Sequence, residues 1–162
     1  MIKLFNFKRN SVLERLISLK PSLKAIINGN EANPHLQGKV YFYQVKDGVY
    51  VVYEIVGLPK NDSGFFAMHI HDIDNCDKNN GEYENSNHYN PTNESHPLHS
   101  GDFPNILSNN GYSFGAFFTN RINVKEINQK VVIIHDNPDD YRSQPSGDSG
   151  EKIACGNIVN FN

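Results

Sequence analysis

Six of the seven histidines in this chain fall between positions 69 and 135, and they begin inside an acidic stretch. His69-Ile70-His71 comes first. On a strand, residues two apart point to the same face, so these two imidazoles could converge on one ion. A lone His-x-His is weak evidence. Further on come His88-Tyr89-Asn90-Pro91 and then His96-Pro97-Leu98-His99-Ser100-Gly101-Asp102. The second string offers two imidazoles and a carboxylate close together. That set suits zinc, which accepts nitrogen and oxygen in a tetrahedron and lets a flexible loop wrap around it. His135 closes an apolar run, Val131-Val132-Ile133-Ile134, where a histidine is expensive unless it has a partner. The two cysteines, Cys76 and Cys155, fit no Cys-only zinc motif and form either one disulfide or two free thiols. A bridge would close a long loop and contribute ~4–5 kcal/mol as an upper figure. In a reducing cytosol free thiols are the default.

The charge distribution agrees with a cation site. Residues 61–102 carry eight acids against Lys78 alone, whereas residues 1–24 carry six bases (Lys3, Lys8, Arg9, Arg15, Lys20, Lys24) against Glu14. Acids and histidines crowded together with few bases are cation-ligand chemistry. The formal charge is -3, and no Lys/Arg cluster interleaves with aromatics, so a nucleic-acid footprint is not expected. The mean hydropathy is -0.56, and the longest apolar run falls far short of the ~20 residues that span a bilayer. With 162 residues, 38% of them apolar, the chain suits one domain plus a short appendage.

The elements that must position these groups read as all-β. Lys39 to Gln44 and Gly48 to Val56 are rich in Val and Tyr, with Asp47-Gly48 between them as a hairpin signal. Phe65 to His71, Gly111 to Thr119 and Val131 to His135 read as further strands, and Asn123 to Asn128 as one helical turn. Residues 72–110 are polar and rich in Asn, Pro and Gly, too long for a simple connection, which points to function. A second irregular stretch runs from Asp136 to Lys152. From Ser11, apolar positions Val12, Leu13, Leu16, Ile17 and Leu19 suit a short amphipathic helix capped by Ser11 and ended by Pro21. The expected organisation is an N-terminal extension over 1–24, helical or irregular, and one domain over 25–162.

Taken in order, these motifs resemble the copper-zinc superoxide dismutase family. The match runs through His69-Ile70-His71, Cys76, His88-Tyr89-Asn90-Pro91, His96, His99-Ser100-Gly101-Asp102-Phe103-Pro104, Val132-Ile133-Ile134-His135 and Ala154-Cys155-Gly156. The resemblance implies an eight-stranded Greek-key β-barrel or sandwich with long metal-binding and electrostatic loops. It implies copper on His69, His71, His88 and His135, and zinc on His88, His96, His99 and Asp102, with His88 bridging the two. It implies a Cys76–Cys155 disulfide, and Asp139 linking the outer nitrogens of a copper and a zinc ligand. Lys152 matches the arginine that guides superoxide to copper. The implied activity is dismutation of superoxide to dioxygen and hydrogen peroxide, with His88 passing a proton to the peroxide. His35 has no counterpart in the motif and reads as a surface residue.

Three departures from the family pattern stand out. Lys152 keeps the charge of the usual arginine but loses its planar fork. The stretch between His135 and Cys155 is short, and residues 136–152 hold five acids (Asp136, Asp139, Asp140, Asp148, Glu151) against Arg142 and Lys152. His96 and His99 are closer together than is usual. No ligand is lost, so the expectation is an enzyme slower than efficient members. The alternative is a zinc-only or metal-carrying sandwich with little or no dismutase activity. The expected partners are superoxide and a copper donor protein, with the chain a monomer or homodimer. The disulfide and the copper point to an oxidising compartment, while the missing export signal points to the cytoplasm, which is the expectation adopted.

Overall fold

The computed structural model describes residues 18–79, 82–83 and 86–162. Most of the amphipathic helix expected from Ser11 lies outside the described residues. The body is an antiparallel seven-stranded sheet built from β1 (Leu23–Gly29), β2 (Gln37–Val45), β3 (Gly48–Val56), β5 (Met68–His71), β9 (Ser113–Thr119), β10 (Val131–His135) and β11 (Lys152–Asn160). Its order is β5-β10-β11-β1-β2-β3-β9. Two short ladders accompany it: β4 (Phe65–Phe66) with β8 (Ile106–Leu107), and β6 (Lys78–Asn79) with β7 (Glu82–Tyr83). One helical turn, α1 (Val124–Ile127), is capped by the Asn123 side chain, which accepts from Lys125 N.

Alternation builds the sheet. Leu23, Ala25 and Ile27 of β1, Val40 and Phe42 of β2, and Val49, Val51, Tyr53 and Ile55 of β3 all turn into one core. The sheet curls. Since β4 runs into β5, the β4–β8 ladder extends one edge, and β8 lies against β9 at the other. The result is the Greek-key sandwich expected, with β8 as a short eighth strand. The turn between β2 and β3 is Lys46-Asp47, because Gly48 already pairs with Val45.

β10 is buried on both faces, which explains its unbroken apolar run. Val132 and Ile134 enter the main core, while Val131 and Ile133 pack with Tyr83 and Cys155 beneath the long loop. That loop is held down by a disulfide between Cys76 and Cys155, whose Cα atoms are 5.8 Å apart. Tyr83 Oη adds a hydrogen bond to the Asn28 carbonyl of β1 at 3.0 Å. Among the described residues, no helix is long and apolar enough to cross a membrane.

Candidate metal centre

The site begins with the pleat of β5. Met68 and Ile70 enter the core, so His69 and His71 project from the opposite face. The long loop then runs along the free edge of β5 and is stitched to it by backbone hydrogen bonds. Ile70 N donates to Gly101 O at 3.0 Å, Tyr89 N to Ile70 O at 2.8 Å, and Gly101 N to Tyr89 O at 2.8 Å. His71 thereby faces His88, and His69 faces Asp102, as isolated bridge pairs. Gly101 is required at this edge, since a Cβ there would overlap Ile70 O and stand 3.0 Å from Tyr89 N. β10 lies beside β5 and delivers His135 from its end.

Two groups of potential ligands result. His69, His71, His88 and His135 bring one ligand atom each to within 4.8 Å of one another, and so do His88, His96, His99 and Asp102. His88 belongs to both. His71 Nε2 and His135 Nε2 lie 3.2 Å apart, and His88 Nδ1 lies 2.7 Å from Asp102 Oδ1. His96 Nδ1 and His99 Nδ1 approach the Asp102 oxygens at 3.2 and 3.3 Å, yet neither is aligned for a hydrogen bond.

The far sides of several rings are tied to the protein, and that decides which nitrogens remain. His69 Nε2 and His96 Nε2 each lie 2.9 Å from an oxygen of Asp139. His71 Nδ1 faces Ser86, 3.1 Å from its carbonyl and 3.0 Å from its hydroxyl. His135 Nδ1 lies 3.2 Å from the Gly150 carbonyl. A ring nitrogen that donates outward leaves the other as a lone pair facing in. His69 Nδ1, His88 Nε2, His96 Nδ1 and His99 Nδ1 are buried with no hydrogen-bond partner. A buried polar atom without a partner is costly, and these four belong to the two clustered groups, as nitrogens able to ligate a cation would. The donor chemistry fits as well. Four imidazoles suit a soft-to-intermediate redox metal, and three imidazoles with a carboxylate suit zinc.

Burial keeps His69, His71 and His135 neutral, as ligation requires. Desolvation pushes His69 down to about 4 and His135 down to about 3. His71 falls well below its ordinary value, first through burial and then through the neighbouring His135, His88 and His69. The carboxylates are held ionised. Burial opposes the charge on Asp102, but the hydrogen bond from His88 and the surrounding imidazoles prevail. At Asp139 burial is likewise outweighed by hydrogen bonds from His69, the Tyr141 amide and His96.

Asp139 is itself gripped. Asn105 donates from Nδ2 to its carbonyl at 2.9 Å and accepts its amide at 2.8 Å, and Tyr141 N donates to Oδ1 at 2.6 Å. Asn105, Tyr141, Ser86 and Gly147 are supporting residues not anticipated from the sequence. Asn105 lies three residues beyond Asp102, but spacing alone does not reveal its partner. Lys152 opens β11 with Nζ 3.4 Å from Ser86 Oγ. It lines a cleft shared with His71, His88, His135 and His99.

The family model described as copper/zinc superoxide dismutase (SODC) matches residues 36–158. The chain belongs to the copper/zinc superoxide dismutase family. Cu-Zn superoxide dismutase 2 of Aquifex aeolicus strain VF5 is 30% identical over 173 residues, covering 98% of this chain and 99% of its own. The Cu-Zn superoxide dismutase of Legionella pneumophila is 31% identical over 156 residues, covering 91% of this chain and 93% of its own. The crystal structure of a double mutant of a SOD-like protein from Bacillus subtilis superposes with a TM-score of 0.72 at 23% identity. It covers 85% of this chain and 97% of that one, and bears on the fold alone. Membership in the superoxide dismutase family implies copper and zinc as the metals, and the two histidine groups are able to bind them.

Proposed function

We propose that this chain dismutates superoxide, turning two superoxide anions and two protons into dioxygen and hydrogen peroxide. The observation that carries the reading is the sharing of His88. Its Nδ1 joins the group with Asp102, and its buried, unpartnered Nε2 joins the group of His69, His71 and His135. The first group would hold zinc and the second copper. When bound, copper supplies one-electron redox chemistry and zinc a fixed positive charge.

The chain's own residues do the rest. His69, His71 and His135 present neutral rings fixed by Asp139, Ser86 and Gly150. His88 Nε2 faces the cleft group and is placed to hold a proton and hand it to a peroxide oxygen. Lys152, on the cleft wall, draws the anionic substrate inward. Asp72, on the same wall, is neutralised by Lys130 at 2.5 Å.

The reading is tested by superoxide decay with copper- and zinc-reconstituted protein, a chelator to silence free copper, and metal content on the same sample. Catalytic decay at about one copper and one zinc per chain, the stoichiometry one ion per ligand group gives, upholds it. Zinc bound tightly, with no copper retained and no catalysis, replaces it with a metal-carrying sandwich.

A further inference from the structure

We infer that Ser86 is a positioning residue for Lys152: its hydroxyl holds the ammonium at the mouth of the cleft and ties it to the His71 ring. The inference rests on the dismutase reading for its consequence, but not for the contact. Lysine is a compact charge on a flexible four-carbon stem, without the rigid fork with which arginine fixes itself. A cation that guides an anion along a short path needs a definite position, so something must supply what the fork does not.

Ser86 is a group in place. Its Oγ lies 3.4 Å from Lys152 Nζ and 3.0 Å from His71 Nδ1. A hydroxyl oxygen has two lone pairs. Because the Ser86 carbonyl beside His71 Nδ1 can only accept, Nδ1 carries the ring proton, and the Ser86 hydroxyl oxygen accepts from both the imidazole and the ammonium. The Ser86 carbonyl also takes His71 Nδ1, at 3.1 Å. Removing the hydroxyl therefore leaves the ring one of its two acceptors, while Lys152 loses this anchor outright. Ser86, Lys152, His71, His88 and His135 all line the same cleft. The cation is thus set on the wall of the space through which a small anion reaches the ligand group.

The test uses the full chain with Ser86→Ala, Ser86→Thr, Lys152→Met and the Ser86→Ala/Lys152→Met double variant. Contact is read on metal-free protein, as the acylation rate of Lys152 by acetic anhydride, followed by peptide mass. Loss of the hydroxyl raises that rate about three-fold and threonine restores it, the size expected of one long, partly exposed hydrogen bond to a charged group. The consequence is read on copper- and zinc-loaded protein, as the azide dissociation constant from the optical change at copper. Ser86→Ala weakens azide about three-fold, Ser86→Thr does not, and adding Ser86→Ala to Lys152→Met has no further effect. Unchanged acylation in Ser86→Ala overturns the contact. An equal azide loss on both backgrounds overturns the positioning role, because Ser86 then acts through His71. If the wild type retains no copper, the dismutase reading falls, and the acylation ratio alone upholds or overturns the contact.

Discussion

Gly147 is where a single methyl group separates the two ligand groups from the carboxylate that joins them. It is buried, sits at φ 72°, and is pinned on both sides, with Gly147 N donating to Ser143 O at 2.7 Å and Gly147 O accepting Asp140 N at 2.9 Å. A Cβ there would overlap Asp139 Oδ1 and stand 2.6 Å from Asp139 Cγ and 2.8 Å from His96 Nε2. In Gly147→Ala the left-handed backbone costs about 1–2 kcal/mol. Displacing Asp139 strands two buried imidazole nitrogens, at about 1–3 kcal/mol each. The sum is a loss of about 3–8 kcal/mol, much of a typical domain's stability. Gly64 supplies the control. Its φ of 70° is nearly the same, but the nearest atom to its Cβ is Ser108 O at 4.0 Å. Gly64→Ala therefore shows the backbone cost alone. Urea unfolding of the metal-free proteins gives the difference between the two variants, and competition with a chromophoric chelator gives zinc affinity. Gly147→Ala is expected to fall at least about 2 kcal/mol below Gly64→Ala and to bind zinc about 10–100-fold more weakly. If the two variants match in stability and zinc affinity is unchanged, Asp139 does not hold His96 in the way described.

Other expectations follow from the same geometry. In Asp139→Asn only one amide oxygen remains, so either His69 Nε2 or His96 Nε2 must face an NH2 group; metal analysis after dialysis should show one metal bound about 10–100-fold more weakly while the other is retained. Metal-free protein should lose stability in acid: burial holds His69 down to about 4 and His135 down to about 3, whereas the unfolded chain titrates them near ~6.5. Between those values the unfolded state binds more protons, so stability falls with pH from about 6.5 toward about 4, by about 1.4 kcal/mol per unit for each histidine. Urea midpoints at about pH 7.5 and about pH 5 measure this, and equal midpoints would contradict neutral buried rings. Cys155→Ser should cost up to ~4–5 kcal/mol by freeing the long loop, seen as a lowered thermal midpoint of the metal-free protein.

The strands rich in Val, Ile, Tyr and Phe were legible in the sequence, whether they alternate or, like β10, are apolar throughout, and so were the ligand types. β2, β3, β9 and β10 all overlap the expected segments. β1 was not anticipated. Leu23–Gly29 alternates, but it is short, contains Ala, Asn and Gly of low strand propensity, and carries an apolar outward residue in Ile26, 44% exposed. Pairing with both β2 and β11 makes it a strand. The expected strand Phe65–His71 is interrupted at Ala67, whose amide donates to Asn137 O at 2.8 Å while its carbonyl accepts His135 N at 2.9 Å. That break hands the chain from the β8 ladder to β10, and only the tertiary fold could reveal it. The supporting residues were illegible for a related reason. Asn105, Tyr141, Gly147 and Ser86 belong to loops whose partners are set by long-range backbone hydrogen bonds, so no local pattern marks them.

The two ligand groups are mechanically one unit. His88 lies in both, and Asp139 closes a second link from His69 to His96. A ring drawn toward one ion would therefore tilt against a ligand of the other group, through either of two routes. The Asp139 link runs through a carboxylate whose backbone is gripped by Asn105 and whose surroundings admit no side chain at Gly147. Rigid interiors transmit such displacements rather than absorb them. His96, His99 and Asp102, if they held an ion together with His88, would thus constrain the aim of His88 Nε2 and of His69 Nδ1. Loss of zinc affinity in Gly147→Ala should for that reason come with altered copper geometry, whereas a change at Ser86, which touches neither link, leaves the zinc group alone.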